Sequence, residues 1–405
     1  MAKTFSANFG GGMNRLASPF LVRPTEVKLA RNVDLETIGA MSKRKGYGLG
    51  LTVQSGKEVL GLHEYVISSS GTKYLLAITN NSGDTAAALK YATDPLSSFT
   101  AHGDSSVASL LASAEYEFAN FIDVCFIVGS TSSSFQQIFT IAGILSGDYS
   151  STQYLSGAPN AKYIIQTKDR IFLAYTSNSQ SELFWSDLPT GSPGSWALSW
   201  TSTNNVRVET NDGEVISGLG ANFNRVLVFK PSGIHKWDPD NEEMVKEKGD
   251  VGTTSHRSIK NIGQSTLFYK AGYGFYDYKQ DEPELISRRI QDFMDATPGG
   301  YKPRAQADDR NYYATGGNVT VGGRTYTDVL YHYDYLLSAW TVYENFGASV
   351  IAKFGPTDKK TFYFGGDGDG KVYEMFSYTT TSTSTSTSST SSTSSSTSST
   401  STTHT

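Results

Sequence analysis

The stretch GGDGDGKVYE, Gly365 to Glu374, holds the oxygen donors most suggestive of chemistry in this sequence. Asp367, Asp369 and Glu374 have the kind of spacing by which the carboxylates of one loop converge on a calcium ion. An EF-hand loop needs a further side-chain ligand at its fifth position and a longer reach to its glutamate, and this stretch falls short of both. It also lies between TFYFG and KVYEM, two runs with strand character, where Asp-Gly is hairpin-turn chemistry. Asp367 and Asp369 therefore stand as weak metal candidates, with a turn as the expected role. No cofactor is expected.

Other reactive residue types are present but scattered. The six histidines (His63, His102, His235, His256, His332 and His404) include no pair at helical metal spacing. YHYDY puts His332 and Asp334 on one face of a strand among tyrosines, which predicts a hydrogen-bonded polar face. FWSDLPTGSPGSW, Phe184 to Trp196, is loosely like the Asp-box hairpin of sialidase propellers, a structural element in its own right. A sialidase also needs three arginines around a carboxylate, and a glycosidase generally two opposed acids. Arg170, Arg207 and Arg225 are not grouped with a nucleophile and an acid. No phosphate-binding glycine loop lies between a strand and a helix, and no nucleophile elbow is present. The lone Cys125 excludes an internal disulfide framework. It sits in FIDVCFIVG, a run expected to be a buried strand with an inert thiol. These readings predict a chain that is not an enzyme.

The elements around these residues are short strands. Of 405 residues, 39 are Gly, 24 Tyr and 21 Phe, a composition that favours strands joined by tight turns. The net charge of −5 gives no whole-chain electrostatic footprint for nucleic-acid binding. No apolar run approaches a membrane-spanning length, so no membrane insertion is expected. MAKTFSANFGGGMNRLASP carries no apolar core of a secretory signal, which predicts synthesis in the cytoplasm and release, if any, by another route such as lysis. Three parts are expected: an extended N-terminal arm over 1–45, a strand-rich body over 46–378 and a low-complexity Ser/Thr tail over 379–405. The tail has too little apolar surface to offset the entropy of ordering it. A disordered tail or linker is the first reading, a glycosylated stalk or strand-forming repeat the others. One weak helical stretch, Thr25 to Asn32, lies in the arm, and DEPELISRRIQDFMDA is the one segment that reads as helix for more than two turns, with a short strand plausible at Leu285 to Ser287.

In the body, strand groups begin near Glu58, Glu115, Asn160, Gly213, Ser255, Tyr301 and Phe346. Their spacing, roughly 40 to 55 residues, is a propeller-blade period. The fold class is all-β, a single β-propeller of seven blades, alternatively six, from about Tyr47 to Tyr378. Two β-sandwiches are the rival, but no composition break separates them. The last group lacks an outer strand, which RKGYGLGLTV could supply. Gly46 to Val53 is therefore expected to pair with Thr361 to Phe376 and close the ring. GEVISGLGANFNRVLVFKPSGIHKW, Gly213 to Trp237, reads as one blade. Its exposed-looking Trp237 either packs on a neighbouring blade or caps a contact between subunits.

RVETNDGEVISGLGANFNRVLVFKPSGIHKW and KEKGDVGTTSHRSIKNIGQSTLFYKAGYGFYDYKQDEPELISRRIQDFM resemble β-propeller neck and tail proteins of tailed bacteriophages, of the tail nozzle or tubular tail type. NAKYIIQTKDRIFLAYTSNSQSELFWSDL, the AWTVYENF and TFYFGGDGDGKVYEM runs and the opening GGMNRLASPFLVRPTEVKLARNVDLETIGAMSKRKGY are similar to the same proteins, so that the likeness spans roughly residues 10 to 378. The resemblance implies a virion protein, a structural component of the neck or tail nozzle ring around the DNA exit channel. It implies a homo-oligomeric ring, a hexamer, with neighbouring neck and tail proteins as partners and DNA only as non-specific cargo. Many nozzle proteins are much longer than this chain. The arm holds Lys3, Arg15, Arg23, Lys28, Arg31, Lys43, Arg44 and Lys45 against Glu26, Asp34 and Glu36, an excess of five positive charges. Arg15, Arg23, Lys28, Arg31, Lys43, Arg44 and Lys45 are accordingly the candidate subunit contacts, on an arm that either lies on its own domain or reaches a neighbour. The alternative function is a glycan-binding propeller for host attachment, with exposed aromatics at loop tips.

Overall fold

The computed structural model describes residues 8–18, 20–35, 40–68, 70–102, 110–135, 139–141, 157–191, 197–279, 282–356 and 360–377. The Ser/Thr tail at 379–405 and Trp196 lie outside them. Seven antiparallel sheets follow one another along the chain, six of four strands and one, over 115–141, of three strands among the described residues. Their first strands are Val59–Ile67, Glu115–Phe121, Ala161–Thr167, Gly218–Asn222, Lys260–Ile262, Ala305–Ala307 and Ala348–Phe354. These neighbour one another in that order, and the seventh lies back against the first. The chain is a seven-bladed β-propeller, and its blades begin where the sequence groups begin.

The apolar core is divided among the seams between blades. Seven separate clusters of buried residues occur, one in each seam. The alternation of each strand explains this, because successive side chains point to opposite faces of a blade and each face meets a different neighbour. Trp237 is an instance: it is 3% exposed, not exposed as its position suggests, and stacks on Trp185 of the preceding blade at 4.9 Å. Cys125 is likewise buried, between the first two blades, and burial pushes its thiol up.

Closure occurs where the sequence places it. Gly46–Thr52 pairs antiparallel with Lys371–Ser377 as the outer strand of the seventh blade, with Lys371 opposite Thr52 and Met375 opposite Tyr47. The Asp-Gly turn beside it holds the junction, as Val53 and Gln54 both donate to Gly370 O, at 2.8 and 3.1 Å. Gly370 has φ +70°, and a Cβ there would lie 1.6 Å from Gln54 O.

Two helical expectations give way to tertiary pairing. Within Thr25 to Asn32, Glu26–Val27 pairs in parallel with Gly12–Met13, and Asn32 and Val342 N–H groups bond to Val342 O and Ala30 O. An edge strand offers this backbone more partners than an isolated helical turn would. In DEPELISRRIQDFMDA, Pro283–Leu285 is the outer strand of the fifth blade and only Gln291–Ala296 is α-helix.

Gly56 has the same φ, +70°, but a Cβ added there would have no atom within 4 Å, so it separates backbone strain from the close approach at Gly370. Gly56→Ala is expected to cost about 1 kcal/mol. Gly370→Ala should cost about 2 kcal/mol more by prising the closing strands apart. Urea denaturation of both variants measures the difference, and equal losses would show that the close approach at Gly370 adds nothing to the backbone strain.

Candidate functional site at the propeller axis and the N-terminal arm

The polar centre of the molecule is the turn that leads into the fifth blade. His256–Ser258 forms a single 3-10 turn, held by small hydroxyl residues. Thr253 Oγ1 donates to Tyr269 O at 2.6 Å and Ser255 Oγ to Pro303 O at 2.7 Å. Ser258 Oγ donates to Ser255 O at 2.7 Å and accepts Tyr269 N–H at 3.0 Å. Such residues satisfy buried backbone without requiring bulk where chains converge.

This turn aims Arg257 across the axis. Its Nε donates to Glu117 Oε1 at 2.7 Å, and one terminal nitrogen donates to Leu60 O at 3.0 Å and Tyr116 O at 2.8 Å. One side chain of the fifth blade thereby ties the first strands of the first and second blades. His256 extends the link. Its Nδ1 accepts Leu219 N–H at 3.1 Å, which leaves Nε2 as the protonated nitrogen, 3.6 Å from Glu117 Oε2. Its ring lies 4.7 Å from that of Tyr163. Burial alone would raise the Glu117 carboxyl, but Arg257 and then His256 outweigh it and hold the group well below the usual carboxylate range. Above this network Lys162 Nζ stands 4.0 Å from Glu115, and Arg304 stands 3.7 Å from Glu58.

Of the two metal candidates, the Asp369 carboxylate is taken up by its own hairpin. Asp369 Oδ1 accepts Lys371 N–H at 3.0 Å, and its other oxygen accepts the Tyr373 hydroxyl. Asp367 N–H donates to Gly347 O at 2.9 Å. Among the described residues no group of three or more His, Cys, Asp or Glu could hold a metal ion. Arg170, Arg207 and Arg225 lie apart, bound to Ser186 O, Glu182 and Asp238 respectively. Asp187 of the Asp-box-like stretch accepts from Ser199, Thr201 and Asn204 and so ties its own hairpin. His332 bonds to Thr341, Tyr343 and Asn311, and Asp334 pairs with Arg310 at 2.6 Å.

The arm lies along the outer edge of the sixth blade, Ala339–Tyr343. Arg15 pairs with Asp292 at 2.8 Å and Arg31 with Glu344 at 2.9 Å. Arg44 donates to Asn32 Oδ1 and Glu344 O and sits 4.7 Å over the Phe346 ring. Lys28 caps the Arg15 and Ala17 carbonyls. Of the candidate contacts, Arg23 and Lys43 are exposed and make no ion pair with a described residue; Lys45 is half-buried. Beside these charges the arm presents apolar side chains: Leu16 is 62%, Phe20 96% and Leu21 74% exposed. Sequence reasoning missed this tip because charge was the louder signal, although LASPFL stands in plain view. It also missed Arg257, whose role depends on strands 140 and more residues away.

Among the described residues, no helix is long and apolar enough to cross a membrane. No family model matches the chain, and no curated protein matches it. Among solved structures it is similar to YCF48 bound to D1 peptide (10% identity over 83% of this chain and 97% of that one, TM-score 0.49). It is similar also to the extracellular domain of the one-component system BT4673 from B. thetaiotaomicron (12%, 84% and 43%, TM-score 0.49). A computationally designed protein, Ika8, is a third (7%, 82% and 100%, TM-score 0.44). Seven blades are counted from the strand pairing of the chain itself.

Arg257→Met is expected to lower stability by about 3 kcal/mol, because Glu117 is left without its main partner. Arg257→Met combined with Glu117→Leu should recover most of that loss, and a double-mutant cycle in urea reads it. An additive result would remove the axial tie as an explanation.

A pH dependence follows from the buried His332 and the half-buried His63. Burial lowers both His63 and His332 from 6.5 to about 4. The unfolded chain takes up protons that the folded chain refuses, so stability is full above pH 6.5 and falls as pH drops towards 4. Each group contributes a slope of at most about 1.4 kcal/mol per pH unit in that window. Denaturation at pH 7, 5.5 and 4 should show the fall, and a His332→Gln variant should show a shallower one.

Proposed function

We propose that this chain is a structural subunit of a tailed-phage particle, a propeller of the neck or tail nozzle ring that surrounds the DNA exit channel. The observation that carries the reading is how the axial turn is used. GDVGTTSHRSI, the core of the resemblance to those proteins, forms the turn whose Arg257 ties three blades. A Cβ on Gly252 would lie 1.8 Å from Lys230 O, so this segment is built for close packing of chains. A subunit that must hold its shape while DNA passes the ring needs such bracing and no reaction. In this reading the protein is made in the host cytoplasm and resides in the virion, as a homo-oligomer, sixfold by resemblance, docked on neck proteins.

The arm is the bridging element. Its exposed Leu16, Phe20 and Leu21 supply apolar contact area, and Arg23 and Lys43 supply charge that can steer approach to an acidic neighbour. A specific observation favours the second reading, a glycan-binding propeller. Phe223 is 64% exposed at a turn with φ +55°, beside a groove of about 550 Å³ that includes Asn222, Asn224, Asp238 and Asp240. Aromatic faces flanked by amides and carboxylates suit sugar stacking.

Mass photometry of the chain mixed with neck proteins encoded beside it, or a particle reconstruction, tests the proposal. A ring or docked complex is expected, weakened at least tenfold by Phe20→Ser with Leu21→Ser and moderately by raised salt. If deleting residues 1–40 leaves association unchanged, the arm has no assembly role. If the chain never associates and a glycan array registers binding that Phe223→Ala abolishes, the second reading replaces the first.

A further inference from the structure

A cavity of about 250 Å³ lies on the propeller axis next to the Arg257 tie, walled by the first strands of the first, second, fifth, sixth and seventh blades. Its ionisable lining is unbalanced. Arg257, Lys260 and Arg304 face it with Glu117 as the single carboxylate. Glu117 is already engaged by Arg257 at 2.7 Å and approached by His256 at 3.6 Å. The Lys260 ammonium makes no hydrogen bond or ion pair with a described residue, and burial lowers its pKa. Arg304 has one carboxylate near it, Glu58, at the long distance of 3.7 Å. The other titratable groups on the wall add no positive charge near pH 7: burial lowers His63 to about 4 and pushes the Tyr116 phenol up. Gln306 Oε1 accepts Ala307 N–H at 3.1 Å, which leaves its amide hydrogens as further donors.

A lysine with no carboxylate partner beside an arginine with only a long ion pair, both facing one cavity, is costly unless a counter-charge joins them. The cavity is polar and large enough for more than water. We infer that the axial cavity is a binding site for a small oxyanion, a phosphate group or a short dicarboxylate, held between Lys260 and Arg304. Such a ligand completes the charge balance of the axis and couples the fifth and sixth blades at their inner edges. The inference does not depend on the proposed role in a particle.

Calorimetric titration of the full chain with inorganic phosphate and, in parallel, with succinate tests the inference, both in sodium chloride matched for ionic strength. Saturable binding with a dissociation constant of about a millimolar or tighter is expected for at least one of them, with a rise of several degrees in Tm. The arm of the titration that responds identifies phosphate or carboxylate as the source of the charge. Lys260→Met should weaken binding at least tenfold, and Arg304→Gln serves the same purpose if the first variant does not fold. Absence of heat and of any Tm change with both anions in the wild-type chain overturns the inference. So does binding that neither substitution weakens.

Discussion

The contact of Arg257 with Glu117 and with the Leu60 and Tyr116 carbonyls is the constraint on which the ring depends. Strand pairing within a blade says nothing about where opposite blades stand. Seam packing sets each blade against its neighbours, and small angular errors would accumulate around seven seams. A side chain that crosses the axis fixes the first and second blades against the fifth directly. Arginine suits the task because its planar fork donates in several fixed directions and remains charged when buried. Glu117 is held ionised by the same contact, so donor and acceptor each keep the other in the state that the site requires.

The rest of the architecture removes free edges. The first strand of the body closes the last blade, and the arm covers the outer edge of the sixth. Both use residues before Val53, so the N-terminal part of the chain completes the C-terminal part. Only once the late blades exist can the early segment be placed, which makes these contacts long in sequence and cooperative with the whole ring. The positive charge of the arm mostly serves this internal purpose. Arg15, Arg31 and Arg44 bind acidic groups and carbonyls next to or within the fifth and sixth blades, while Leu16, Phe20 and Leu21 of the same arm stay exposed.

Polar residues of the interior follow the same logic. Thr253, Ser255 and Ser258 close backbone gaps, His332 links its neighbours Thr341, Tyr343 and Asn311, and Asp187 ties a hairpin. Each is a residue type that elsewhere does chemistry, and here each has its partners in the fold. The axial cavity differs, since Lys260 and Arg304 bring charge to it that the chain does not fully answer.

The sequence by itself determined the all-β class, the blade starts and the closing strand. These follow from local alternation, turn residues and a repeat period, which neighbouring residues carry whatever the rest of the chain does. The turn at Asp369 was legible for the same reason, since its partners Lys371 and Tyr373 lie within four residues. The helical reading of Thr25 to Asn32 failed because the competing partner, Val342, lies far along the chain. Packing of Trp237 on a neighbouring blade was one of two readings its sequence position allowed, and Trp185, covering it from the preceding sheet, decides for that one. The grouping of Glu117, Lys260 and Arg304 around one axis was decided by the tertiary structure alone. Lys260 and Arg304 stand one blade period apart and Glu117 three periods before Lys260, so each falls on or beside the inner strand of its blade, but only the angle at which seven seams close sets which inner strands face each other and how near their charges come.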